Sequence, residues 1–133
     1  MNVVWSATDP VTRRFEPTPV RSDPAALEER FRRLRRRRIR GYLDVTLAGA
    51  GSPRLTAGFR GEYAVVHLIN GERSYVLAGD GRVPEGALVQ VPIEDTLTVF
   101  DGVVVWGAED AWDRIRDFLR TGRPDDLGTW IAV

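Results

Sequence analysis

Between residues 41 and 106 the chain alternates apolar and polar side chains, and glycine-bearing turns interrupt the alternation at short intervals. Asn70-Gly71 is the sharpest interruption. It divides the apolar run Tyr63 to Ile69 from the run Arg73 to Ala78. A loop this short joins antiparallel strands, because parallel neighbours need a crossover of about a dozen residues or more. Asn-Gly suits a type I′ turn, in which both central residues take positive φ.

The same logic extends along the segment. Ile39, Gly41, Leu43, Val45 and Leu47 alternate with Arg40, Tyr42, Asp44 and Thr46, which predicts a half-buried strand. Gly49-Ala50-Gly51-Ser52-Pro53 reads as a turn, and Leu55, Ala57 and Phe59 mark a second strand. Gly61-Glu62 is a tight connection into Tyr63 to Ile69. That run is more continuously apolar and so reads as a central strand. Ala87 to Pro92 and Thr96 to Phe100 add two short strands. Asp101-Gly102 is a second type I′ candidate, leading into a strand at Val103 to Trp106.

Helical periodicity flanks this block. Asp23-Pro24 supplies an N-cap and a proline at the first helical position, and Leu27, Phe31 and Leu34 follow on one stripe. At the other end, Ala108, Ala111, Trp112, Ile115, Phe118 and Leu119 form the apolar face of a helix over about residues 108–121. Gly122 then fits a left-handed C-cap, and Pro124 prevents the helix from resuming. Trp130 suggests a tail that docks back onto the body. Pro10, Pro17 and Pro19 make residues 1–22 read as an irregular N-terminal segment.

The expectation is one α+β domain over residues 1–133: an Arg-rich helix at 23–38, a mostly antiparallel sheet of about six strands over 39–106, a C-terminal helix at 108–121 and a docked tail at 122–133. Both helices are expected to pack on the sheet.

Charge is balanced overall but not along the chain. All 19 basic residues are arginine, against 19 acids. Residues 1–40 hold eleven arginines and five acids, and residues 41–133 hold eight and fourteen. Eight of the arginines fall between Arg30 and Arg40. Such a run suits phosphate binding, or a helix whose apolar stripe is buried while arginine stems cover its flanks. Aromatic residues for base stacking are not interleaved with it, so direct nucleic-acid binding is the second choice.

Catalytic signals are weak. The chain contains no cysteine, which removes thiolate chemistry, disulfides and thiolate metal sites and fits a cytoplasmic protein. No stretch approaches the ~18 apolar residues of a membrane span. Met1 to Asp9 lack a signal-peptide pattern. His67 is the single histidine, in the most apolar strand. It reads as a strand residue satisfied by its neighbours before it reads as a general base or metal ligand. Gly79-Asp80-Gly81 is too short for a phosphate loop. Glu94-Asp95 and Asp125-Asp126 are acid pairs that suit a basic partner surface or simple solvation. Trp5 and Trp130 suit clamping of the chain ends or anchoring of a partner. The expectation is a non-enzymatic binding module with no catalytic residues, metal or cofactor.

From about Tyr42 to Trp130 the chain resembles the immunity protein 1 family of bacterial polymorphic toxin systems. The resemblance lies in three stretches: Leu43 to Leu47 followed by Ser52-Pro53-Arg54-Leu55, Glu62 to Leu68, and Ala111 to Leu119 with Thr121-Gly122-Arg123-Pro124 and Leu127 to Trp130. It implies a cytoplasmic inhibitor that binds a cognate toxin domain, of the nucleic-acid deaminase type, and blocks its active site. A basic toxin groove would be met by an acidic face, for which Glu94, Asp95, Asp125, Asp126 and Trp130 are the candidate contacts. The free chain is expected to be a monomer or a weak homodimer with no membrane partner.

Overall fold

The computed structural model describes residues 2–47 and 53–133. The expected turn at residues 49–53 lies, Pro53 apart, outside them. Ten strands and two α-helices are present among the described residues. The strands are β1 (Val3–Thr8), β2 (Phe15–Ser22), β3 (Gly41–Leu47), β4 (Arg54–Arg60), β5 (Tyr63–Asn70), β6 (Arg73–Leu77), β7 (Leu88–Ile93), β8 (Thr96–Asp101), β9 (Trp106–Gly107) and β10 (Trp130–Ala132). The helices are α1 (Pro24–Arg36) and α2 (Ala108–Thr121).

The α+β class with a mostly antiparallel sheet and two helices therefore holds, but the strand count exceeds the expected six or so. The main sheet runs β10-β6-β5-β4-β3-β1-β2, with the short β9 also paired to β5, and every pairing is antiparallel. β7 and β8 form a separate hairpin.

The segment expected to be irregular carries β1 and β2 from Val3 to Ser22, so α1 is not N-terminal to the sheet. Pro17 and Pro19 fall on β2, the edge strand, where the β1–β2 register shifts between Trp5 and Ala7. Proline is tolerated at an edge or bulge because no ladder bond is lost there, and it blocks further strand addition. The Ser6 hydroxyl donates to the Pro17 carbonyl at 3.1 Å.

Both helices cover one face of the sheet. Leu27, Phe31 and Leu34 of α1 and Ala111, Trp112, Ile115 and Phe118 of α2 pack with Trp5, Leu43, Val45, Leu55, Phe59 and Val66. Phe31 stacks on Trp112 with centroids 4.8 Å apart and meets Phe59 edge-on at 5.3 Å. The β7–β8 hairpin covers the opposite face, where Val65, Val76, Val83, Val91, Val104 and Val105 form a smaller core. β5 is thus covered on both sides, which accounts for its continuous apolar run.

Two turns differ from their expected form. Arg73 pairs with Asn70, so the loop residues are Gly71 and Glu72, with positive φ at Gly71 alone. That is the pattern of a type II′ turn rather than I′. Asp101-Gly102 does not form a hairpin. Asp101 caps a 3₁₀ turn at Gly102–Val104 by accepting from the Val103 N–H at 2.9 Å. Glycine is required at 102 because a Cβ there would lie 2.2 Å from the Pro84 carbonyl oxygen.

Candidate functional site

The arginine run divides where α1 ends. The Ile39 N–H reaches back to the Leu34 carbonyl and the Arg38 N–H to that of Arg35, a Schellman cap with Arg38 at the left-handed position, φ 55°. On the helical side the guanidinium groups are engaged. Arg32 and Arg35 both pair with Glu109 of α2, and Arg36 pairs with Glu29 at 3.0 Å. Arg30 donates to the Thr8 carbonyl and lies over the Trp5 ring at 5.2 Å. Burial alone would push the Glu109 carboxyl up, but Arg32 and Arg35 outweigh it and hold it below the usual glutamate range. Beyond the cap the pattern reverses. Arg37, Arg38 and Arg40 are exposed and form no ion pair among the described residues, and exposed Arg33 on the helix forms none either.

Three further arginines arrive at the same end from other elements. Arg13 and Arg14 lie in the β1–β2 turn. The Asp9 carboxylate organises that turn, accepting from the N–H groups of Val11 at 2.7 Å and Thr12 at 3.0 Å. These bonds hold its carboxyl below the usual aspartate range. Arg60 ends β4 at the β4–β5 turn. A cleft of about 360 Å³ lies between Arg13, Arg38, Arg40 and Arg60. It shares Arg13 and Arg40 with a second cleft, of about 330 Å³, that is closed by Thr8, Pro92, Glu94 and Asp95.

Backbone strain concentrates here. Among the described residues only Arg13, Arg38 and Glu94 hold positive φ without being glycine, and all three line these two clefts. A non-glycine residue in this conformation costs roughly 1–2 kcal/mol. Such outliers cluster at binding and catalytic sites.

An apolar groove continues the surface. Arg60 also borders a depression of about 480 Å³ lined by Tyr63, Leu88, Val89, Gln90 and Val99. Leu88 is 71 % exposed and Val99 52 %. The groove lies where the hairpin meets the β4–β5 turn, and the hairpin rests on the sheet partly through Pro92. A Cβ at Gly58 would lie 1.9 Å from the Pro92 carbonyl oxygen. Gly58 therefore lets the hairpin seat.

The acid pairs expected to share a face are not brought together. Glu94 and Asp95 form the β7–β8 turn, and the Asp95 carboxylate accepts from the Phe15 N–H at 2.8 Å, beside the β2 edge. Asp125 and Asp126 lie exposed in a 3₁₀ turn at Pro124–Leu127, next to β10 at the opposite edge. Trp130 is half-buried, and its indole N–H donates to the Pro124 carbonyl at 2.9 Å. His67 faces the Phe100 ring at 5.6 Å, and burial lowers its pKa. No group of three or more metal-ligating side chains occurs among the described residues, and no helix among them is long and apolar enough to cross a membrane.

Arg13, Arg14, Arg60, Tyr63, Leu88 and Val99 line these clefts and were not singled out by the sequence. For the groove, the available signal was three consecutive apolar residues, Ala87, Leu88 and Val89, before the strand begins to alternate. No protein-family model matches the chain, and no curated protein matches it.

Proposed function

We propose that the chain is an immunity protein that binds a cognate bacterial toxin domain, of the nucleic-acid deaminase type, in the cytoplasm and occludes its active site without catalysis. The closing segment supports this reading, since it is the most specific part of the resemblance to the immunity protein 1 family. Four residues of that segment close the fold. Gly122 caps α2 at φ 69°, Pro124 opens the 3₁₀ turn, Leu127 is buried, and Trp130 brings β10 onto β6.

Co-expression with the toxin domain encoded beside this gene tests the proposal. Survival of the host together with a one-to-one complex is the expected result; neither rescue nor complex would overturn it. The acid pairs are to be reversed separately, as they lie at opposite sheet edges: Glu94→Arg with Asp95→Arg, and Asp125→Arg with Asp126→Arg. Only one patch is expected to weaken the complex.

A second reading, nucleic-acid binding through Arg30–Arg40, draws support from the unpaired Arg33, Arg37, Arg38 and Arg40. It requires salt-sensitive retention on DNA or RNA.

A further inference from the structure

We infer that the cationic end and the apolar groove, joined at Arg60, form one docking surface for an acidic protein partner that presents an apolar anchor beside its carboxylates. The inference rests on the reading of the chain as a protein-binding inhibitor, and it replaces the acid pairs by a cationic surface as the main contact, which an acidic side of the partner rather than a basic groove would meet.

Three independent observations meet here. Arg13, Arg14, Arg38, Arg40 and Arg60 come from three separate connections, and none is in an ion pair among the described residues. Of the fourteen other arginines, eight face a carboxylate among the described residues, Arg32, Arg35, Arg54 and Arg82 among them. Uncompensated guanidinium groups attract carboxylates and steer their approach. The strain is the second observation. Arg38 stands at a helix C-cap where glycine would carry no steric cost, and Arg13 and Glu94 repeat the pattern across the cleft. Each keeps a charged side chain in a backbone conformation that disfavours it.

The third observation selects protein over nucleic acid. The groove offers Leu88, Val99 and Tyr63, which suit an aliphatic or aromatic anchor. A nucleic acid would need stacking platforms, and Tyr63 is the one aromatic lining the three depressions. Glu94 and Asp95 border one cationic cleft, so any anion is directed to the other, between Arg38, Arg40 and Arg60.

The test uses the full chain and two immobilised probes, a Glu–Tyr copolymer and a short single-stranded DNA. Two paired variants change net charge equally: Arg38→Glu with Arg60→Glu at the site, and Arg73→Glu with Arg123→Glu away from it. A third, Leu88→Gln with Val99→Thr, removes the anchor groove. Circular dichroism melts verify that all three remain folded. The expected result is retention on the copolymer in preference to DNA, with at least about a tenfold loss of copolymer affinity in both site variants and none in the remote pair. Equal losses in the two charge variants, tighter binding to DNA, or indifference to the Leu88 and Val99 changes would each overturn the assignment. The same variants are then assayed against the neighbouring toxin domain. A toxin complex that survives both site variants overturns the surface and leaves the immunity reading intact. No toxin complex, with site-dependent copolymer binding, overturns the immunity reading and leaves the surface intact.

Discussion

The two faces of the main sheet are built from different materials. The helix side packs Trp112, Phe31, Phe59 and Phe118 with leucines and isoleucine, all almost fully buried. The hairpin side is a thin layer whose core is six valines. Large aromatic side chains bury ~150–250 Å² each and dominate the stability of a core. The hairpin is seated by a close backbone approach, Pro92 on Gly58, by Val91 in the valine core and by the Asp95 carboxylate on the Phe15 N–H. One face thus carries the larger aromatic core, and the other a thinner cover whose junction with the β4–β5 turn presents a groove.

The contrast can be tested from the largest effect downward. Trp112→Ala is expected to lose about 3–5 kcal/mol in urea unfolding, as its removal opens a cavity beside Phe31. A loss below that of a hairpin valine would erase the distinction between the faces. Gly58→Ala comes next. The new methyl meets backbone rather than a flexible side chain, so the hairpin must move, at a cost of about 1–3 kcal/mol. The urea midpoint measures the loss, and an unchanged midpoint would mean that the hairpin does not depend on this contact.

Arg38→Gly tests the strained end. Relief of the left-handed conformation, less the greater chain entropy of glycine, should gain on the order of 0.5–1 kcal/mol. The same variant should bind the Glu–Tyr copolymer more weakly, so stability and binding move in opposite directions. The smallest effect concerns His67 beneath Phe100. Its folded pKa lies below the unfolded value of 6.5, so the neutral form is favoured in the fold. The associated stability is fully present above pH 6.5 and is lost as the pH falls through the folded pKa. Melting temperatures between neutral and mildly acidic pH should fall in the wild type, and less so in His67→Phe.

Much of the main sheet was legible because period-two alternation reports burial directly. β3 and β4 announce themselves in this way, β5 by its continuous apolar run, β6 by the Asn70-Gly71 turn, and α1 and α2 by helical periodicity and capping residues. The misreadings have local causes. Pro17 and Pro19 look like strand breakers until β2 is known to be an edge, which is a fact of topology rather than of local sequence. The true hairpin turn, Glu94-Asp95, contains neither glycine nor asparagine, and Glu94 adopts φ 54° against its own preference. Asp101-Gly102 carried the stronger turn signal but serves a cap and a close approach instead. The site was legible only as an excess of charge. Which arginines are neutralised depends on Glu109 standing opposite Arg32, 77 positions away along the chain. The convergence of Arg13, Arg38 and Arg60 depends on three connections meeting at one end of the sheet.

The strand order also bears on how the molecule assembles. β3, β4 and β5 each pair with the next strand in sequence, so that β3 to β6 form a meander, whereas β1 joins β3 across β2 and α1, and β10 joins β6 across the hairpin and α2. Loop-closure entropy delays such distant pairings, so topology favours early formation of the central meander and late attachment of the flanks. The cationic end draws Arg60 from the meander, Arg38 and Arg40 from the α1–β3 link, and Arg13 from the β1–β2 turn. It is complete only when the late-arriving flank has been laid down. A partner that grips this end meets it only on a finished molecule and passes over the half-assembled forms that precede it.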